Sequence, residues 1–396
     1  MPFVFCRYMH LRSFSFEGNV VSIYSSIKEI ANGWDQLAPG HLHSGYLSLL
    51  EDARPRDLEF RYIVVKDKNQ VTRALIYLQK LRFRGNNLNY SKSKALSYLL
   101  KLILELGSFR ILICGNLFAV DYPAVWFDKK IITWNFIIGL LKKLFRQEKG
   151  SAFILKDLDK NLTSDRMQPL GLLSYTTDLT MNMHLDASWK SLDDYVKSLS
   201  KKYRKRAMKI LSAGTEIQRR ILSPVDIKSN LPRIEELFNQ VALKQTIRMG
   251  LIDVRYFEFY SERFSGQFSM EGYFHKNKLI AFSSYIDRSE ILEMHYIGID
   301  YAYNSSHKIY LNMLFDGLKK AIITRKHELE LGRTAREAKA NLGAHPVYFN
   351  DYIIVKSWIS RKLVHLITGY FQKQMGSGWT DRHPFRKSQP GESIKI

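Results

Sequence analysis

The segment SMEGYFHKNKLIAFSSYIDRSEILEMHYIGID, residues 269–300, decides the fold. Three runs rich in β-branched and aromatic residues, Ser269–His275, Leu279–Asp287 and Ile291–Ile299, are separated by the polar turns HKNK and DRSE. That pattern predicts a meander of three antiparallel strands. Just beyond it, Lys308–Ile323 places apolar residues at Leu311, Leu314/Phe315, Leu318 and Ile322, the period of a helix. A short strand, Glu328–Leu331, and a short helix, Ala335–Leu342, follow. Upstream, Ser188 to about Ser212 reads as one long helix, with a stripe of Leu192, Tyr195/Val196, Leu199, Tyr203 and Ile210. Glu216–Leu222 reads as a strand, and Pro232–Gln245 and Val254–Phe264 as helices.

The first half has a similar order. Residues 44–52 predict a helix after the Pro39-Gly40 turn, and Arg61–Val65 and Thr72–Arg84 a hairpin around KDKNQ. Ser93–Leu106 predicts a helix stopped at Gly107. A strand at Arg110–Cys114 and a helix at Ile131–Leu144 complete the half. Residues 359–374 predict a last helix, apolar at Leu363, Leu366/Ile367 and Phe371, and the polar tail from Gly376 reads as flexible. A chain of 396 residues exceeds the size at which single cores stop growing, roughly 250–300 residues. The expected class is α/β with a mixed (α+β) sheet, in tandem domains at 1–165 and 166–375 and a tail at 376–396.

Sixty Lys and Arg against 38 Asp and Glu give a net charge of +22. Folding does not need that excess, and it predicts a field that attracts anions: nucleic acid, an anionic membrane or a phosphorylated ligand. Lys197, Lys201, Lys202, Arg204, Lys205, Arg206 and Lys209 fall within 197–212 without one acid, which points to an anionic partner. Cys6 and Cys114 have no pairing partners in spacing, and CxxC and HExxH are absent, so no metal site is expected. The most apolar windows, Leu96–Leu106 and Ile131–Phe145, are shorter than the roughly 20 residues that span a bilayer. A cytoplasmic chain is expected, able to touch the membrane from that side. GxxxxGK[ST], GxGxxG and GxSxG are also absent, which disfavours nucleotide hydrolysis, dinucleotide redox chemistry and serine hydrolysis.

Three further stretches, SLSKKYRKRAMKI (198–210), YFHKNKLIAFSSYIDRSEILEMHYIGID (273–300) and LELGRTAREAKANLGAHPV (329–347), carry a resemblance, with RILICGNLF (110–118) beside them. The sequence resembles the GNAT N-acyltransferase superfamily, and within it the GNAT-like or FemAB-like branch, over most of residues 40–350. The resemblance implies two tandem GNAT-like domains, the N-terminal one degenerate. It also implies direct attack of an amine on a thioester, helped by a general base. The donor arm would lie beside a splayed strand at Ile291–Ile299, along Ile297, Gly298 and Ile299. A helix N-terminus at Ala302–Lys308 would cradle its pyrophosphate.

That cradle is usually rich in glycine, and YAYNSSHKIY has none. Asn304, Ser305 and Ser306 are N-cap types, and His307 and Lys308 add positive character. Acyl-CoA is therefore one donor, and an acyl-carrier-protein thioester or an aminoacyl-tRNA the others. Glu293 and His295, two apart on a strand, share a face and are the candidate bases. The H-x4-D pattern of His295 and Asp300 would need two residues that a strand directs to opposite sides, so it reads as coincidence. Arg333, Arg336 and Lys339, three apart, would share a helical face and, with Thr334, clamp a carboxylate or phosphate.

The leading expectation is an enzyme that acylates the amine of a lipid-like or membrane-associated acceptor. A Fem-like, aminoacyl-tRNA-dependent transferase acting on a peptidoglycan precursor is the second. A non-catalytic binder of anionic membrane or nucleic acid is the third. No stable DNA complex is expected.

Overall fold

The computed structural model describes residues 10–87, 109–157, 173–245, 248–355 and 380–386, with isolated positions between 98 and 105 and at 362. The helices expected at Ser93–Leu106 and 359–374 lie outside the described residues. The chain is mixed α/β and forms two compact units, Met1–Asp178 with Gln245–Tyr256 and Phe349–Gln372, and Leu179–Lys244 with Phe257–Tyr348 and Lys373–Ile396.

A single boundary at 165/166 does not describe this division. Composition marks the connector, but backbone pairing decides which unit keeps a segment. Arg248 N–H donates to Asn87 O at 2.8 Å and Arg56 N–H to Leu251 O at 3.4 Å, which ties 248–251 to the first unit.

In the first unit, β1 (His10–Phe16), β2 (Asn19–Tyr24), β3 (Leu58–Lys66) and β4 (Thr72–Arg82) form an antiparallel run. Next come β5 (Arg110–Cys114) and, parallel to it, β7 (Ala152–Leu155), while β6 (Val125–Phe127) pairs with β4. Tyr352–Val355 of the strand His345–Val355 pair with β7. The predicted hairpin turn forms because Asp67 accepts the N–H groups of Asn69 and Val71 and Gln70 takes a left-handed φ of 62°. Helices α1 (Ala31–Asp35), α2 (Ser44–Ala53) and α3 (Trp134–Gln147) complete the unit. Helix α3 starts three residues later than expected, because Thr133 caps it by accepting from Phe136 N–H.

The second unit has the strand order β8–β13–β12–β11–β10–β9. Its strands are β8 (Leu173–His184, whose residues from Leu179 belong here), β9 (Gln218–Leu222), β10 (Phe268–His275), β11 (Lys278–Arg288), β12 (Ile291–Ile299) and β13 (Glu328–Glu330). The expected meander is β10–β11–β12, antiparallel throughout, and only β12 and β13 run parallel. Alternation divides the faces. Ala281, Met294 and Ile299 join a core with Tyr195, Met313 and Leu318, and Phe282 meets Phe257 at 5.4 Å on the other side.

The helices are α4 (Leu192–Ser198), α5 (Lys201–Ala213), α6 (Pro224–Ser229), α7 (Leu231–Ala242), α8 (Arg255–Arg263), α9 (Tyr301–His307), α10 (Ile309–Ile323) and α11 (Arg336–Ala340). Two sequence expectations are corrected here. The long helix from Ser188 to Ser212 is two helices, because Leu199 bridges to Phe385 and Ser200 N–H donates to Pro384 O at 2.8 Å. The tail from Gly376 is not uniformly flexible. Residues 380–386 dock on this unit, and Phe385 packs 5.8 Å from Trp189 and 6.2 Å from Tyr195. A composition rich in Gly and Pro gave no weight to that single aromatic anchor.

Candidate functional site

β12 and β13 pair at Ile291–Glu293 and Glu328–Glu330, and there the parallel ladder stops. β12 continues to Ile299. Among the described residues no strand pairs with that edge of β12 beyond Glu293. On the other edge the register with β11 slips by one residue between Ser283 and Tyr285, which makes a β-bulge at His295 and Tyr296. Ser284 fastens the bulge: its Oγ donates to Tyr296 O at 3.1 Å and accepts from Tyr296 N–H at 3.0 Å.

The bulge aims chemistry at the end of the ladder. His295 Nδ1 lies 2.8 Å from Glu293 Oε1, with side chains 2% and 5% exposed, so water does not compete for the bond. A carboxylate only accepts, which makes Nδ1 the donor of this bond and Nε2 the ring nitrogen left to exchange a proton. Tyr260 of α8 stands edge-on to the ring at 6.4 Å.

Glu330 is Glu293's neighbour in register and is equally buried. Arg288 pairs with Glu330 and lies 3.4 Å from Glu293, and Thr180 Oγ1 donates to Glu330 at 3.3 Å. Burial pushes the Glu330 carboxyl well above the ordinary carboxylate range, and the Glu293 charge adds to it. Burial also opposes ionisation of Glu293, but the His295 bond, His295's charge, Arg288 and Arg333 outweigh it and hold that carboxyl low. The pair therefore divides its roles: Glu293 carries the charge and Glu330 keeps its proton more tightly. Lys339, 3% exposed, donates to Gly332 O at 3.0 Å. Burial pushes its amine down to about 7, opposed by Glu330 and assisted by Arg336.

The structure brings Glu293, His295, Arg333 and Lys339 into one charged cluster and leaves other expected residues outside it. Arg333 is not on the helix with Arg336 and Lys339, because Ala335 adopts a left-handed φ of 52° and α11 starts at Arg336. Lys339 is buried rather than on a solvated face, and Thr334 is exposed. Asn304, Ser305 and Ser306 do not cap the start of α9, since they lie inside it. Its cap is Asp300, which accepts Ala302 N–H at 3.2 Å. Asn304 Oδ1 instead accepts Tyr310 N–H of α10 at 3.0 Å, and Ser306 Oγ turns back to Tyr303 O at 3.2 Å. Lys308 takes a left-handed φ of 50° between α9 and α10.

Asp300 bonds Arg233 Nη2 at 2.8 Å, a partnership unconnected with His295. Ile297 and Ile299 follow the bulge. Gly298 is there for packing, since a Cβ would collide with Phe282 and lie 2.8 Å from Leu237 Cβ. Glu330, Arg288 and Thr180 were missed. The signal for Glu330 was present in ELEL (328–331), where alternation puts Glu328 and Glu330 on one face and Leu329 and Leu331 on the other. Arg288 was hidden in a segment that reads as a turn.

Lys201, Lys202, Lys205, Arg206 and Lys209 are exposed along α5. A groove of about 200 Å³ opens beside them, lined by Lys202, Tyr203, Arg206, Glu337, Asn341 and Arg382. It contains none of the cluster around Glu293. No helix among the described residues is long and apolar enough to cross a membrane.

No protein-family model matches the chain, and no curated protein matches it. Among solved structures it is similar to FemX, at 9% identity over 90% of this chain and 100% of that one, with a TM-score of 0.48. It is similar to the tandem GNAT protein from the clavulanic acid biosynthesis pathway, at 10% identity over 85% and 98%, with a TM-score of 0.46. It is also similar to L-PGS from Bacillus licheniformis, at 10% identity over 89% and 98%, with a TM-score of 0.44. The second of these bears the name of the superfamily that the sequence motifs resemble. At this identity and score none of them assigns a substrate or a mechanism to this chain.

Proposed function

We propose that this chain is an N-acyltransferase whose reaction takes place where β12 and β13 part. The observation that carries the reading is the Glu293–His295 pair on the bulge, where the parallel β12–β13 ladder ends. An acyl donor with an extended amide-bearing arm lies along β12 beyond the end of that ladder, as a strand would. The acceptor amine attacks the donor carbonyl. As the C–N bond forms and the C–S bond breaks, His295 Nε2 takes the amine's proton and Glu293 stabilises the imidazolium. The proton then passes to the departing thiolate.

The donor is a thioester of coenzyme A or of an acyl carrier protein, and the acceptor the amine of a lipid-like molecule at an anionic membrane surface on the cytoplasmic side. The cationic face of α5 supports a partner rich in phosphate. The same face favours a second reading, in which the donor is an aminoacyl-tRNA and the bond broken is an ester.

The test is mass spectrometry of the purified chain offered acyl-CoA, carrier-protein thioesters and aminoacyl-tRNA with amine acceptors. Transfer from one donor class is expected, reduced about 10²–10⁴-fold in His295→Ala. Undiminished transfer in both His295→Ala and Glu293→Gln would remove these residues from the chemistry.

A further inference from the structure

Apart from the Glu293 cluster, Glu216, His275 and His307 converge from three elements: the turn before β9, the end of β10 and the last residue of α9. One donor atom from each lies within 4.8 Å of the other two. His275 Nε2 is 3.9 Å from Glu216 Oε2, and the two imidazole centroids are 5.0 Å apart. Tyr303 packs 5.4 Å from His275 and 6.3 Å from His307, which restricts both rings.

We infer that Glu216, His275 and His307 bind a zinc ion. Two imidazoles and one carboxylate are a borderline-soft donor set, suited to zinc and neighbouring first-row ions and unsuited to magnesium or calcium, which prefer oxygen alone. The spacing is wider than a bound ion needs. Zn–N and Zn–O bonds of about 2.0–2.2 Å bring donors to about 3.3–3.5 Å of one another. Glu216 is exposed, so its side chain has room to rotate towards the two imidazoles. Three protein ligands leave the fourth position to water. The chain is rich in cations, and the Glu216 carboxylate offsets part of the charge that a divalent ion would otherwise concentrate there.

Bound zinc would tie the β9–β10 edge to the end of α9, and so to Lys308, whose left-handed φ joins α9 to α10.

The untagged full chain, stripped with chelator, is dialysed against zinc and analysed by mass spectrometry of the metal. Cobalt(II) substitution adds a visible spectrum that reports coordination number. One ion per chain is expected, with a four-coordinate cobalt spectrum and a rise in Tm on adding zinc. His307→Ala and His275→Ala should each weaken binding at least 100-fold and abolish the Tm rise, Glu216→Gln should weaken it less, and His184→Ala should change nothing. Circular dichroism and the metal-free Tm of each variant verify folding. Zinc retained at wild-type affinity in the His275→Ala/His307→Ala double variant overturns the assignment, as does a wild-type chain that takes up no zinc at micromolar concentration.

Discussion

Arg288→Met tests the charged layer at its centre. Arg288 bonds Glu330 and stands 3.4 Å from Glu293, and these carboxylate side chains are only 4% and 5% exposed. Breaking a buried ion pair by removing one partner costs about 3–5 kcal/mol. The guanidinium is itself 22% exposed, and Glu330 has the option of binding a proton, so the lower end, about 3 kcal/mol, is expected. At 1.4 kcal/mol per tenfold, opening of β12 and β13 becomes about 100-fold more frequent. Hydrogen–deuterium exchange of peptides from residues 291–299 and 328–331 reads this directly, and Tm should fall by about 6–12 °C. On a Glu330→Gln background the same substitution should cost visibly less, because the carboxyl that Arg288 bonds is already replaced by a neutral amide. Exchange accelerated less than threefold at neutral pH, or an equal cost in both backgrounds, would refute the idea that Arg288 holds the two carboxylates.

Three further outcomes follow from the same geometry. Glu330 is an acid whose folded pKa is raised, so the folded chain binds its proton more tightly and loses stability as pH rises from about 4.3 towards the raised value. Glu330→Gln should gain on the wild type across that window in urea titrations, and a difference that shrinks with rising pH contradicts the assignment. Lys339 is a base depressed to about 7, so its cost is complete below that pH and fades towards about 10.4. The stability of Lys339→Met relative to wild type should therefore decline from pH 6 to pH 9, and an increase would count against a buried, strained amine. Phe385→Ala should cost about 2 kcal/mol, below the 3–5 kcal/mol of a fully buried phenylalanine because this ring is partly exposed. Proteolysis should then release the tail more readily than in the wild type, and identical cleavage would show that the anchor is unimportant.

Local patterning made much of the second unit legible. The β10–β11–β12 meander and the helix Ile309–Ile323 depend on alternation and on a 3.6-residue stripe, both of which sequence expresses directly. That Glu293 and His295 come together was legible because spacing of two on a strand is a local signal. The longer-range features were not readable in this way. The break between α4 and α5 is set by residues 384–385, far along the chain, so a stripe that runs through Leu199 looks uninterrupted. Lys339 looks like a surface base within GRTAREAK until the fold covers it. YAYNSSHKIY lacks the glycines usual in a pyrophosphate cradle but carries N-cap types that suggest an anion-binding helix start. Which residue caps that helix was not legible: the N-cap is Asp300, ahead of the Asn-Ser-Ser run. Glu216, His275 and His307 lie 32 or more residues apart in sequence, and no spacing rule would have joined them.

The bulge on β12 has a genetic consequence. Leu292 and Met294 before it, and Ile297 and Ile299 after it, all join the same core, while Tyr296 packs on Phe238 and Phe257 across the sheet. Deleting one residue from an ordinary strand inverts every side chain beyond the deletion. Here the in-frame loss of His295 would bring Met294 next to Tyr296 and leave the alternation correct on both sides. His295 is thus supernumerary to the architecture. A chain one codon shorter should still reach its folded state, stripped of the one imidazole at the parting of β12 and β13.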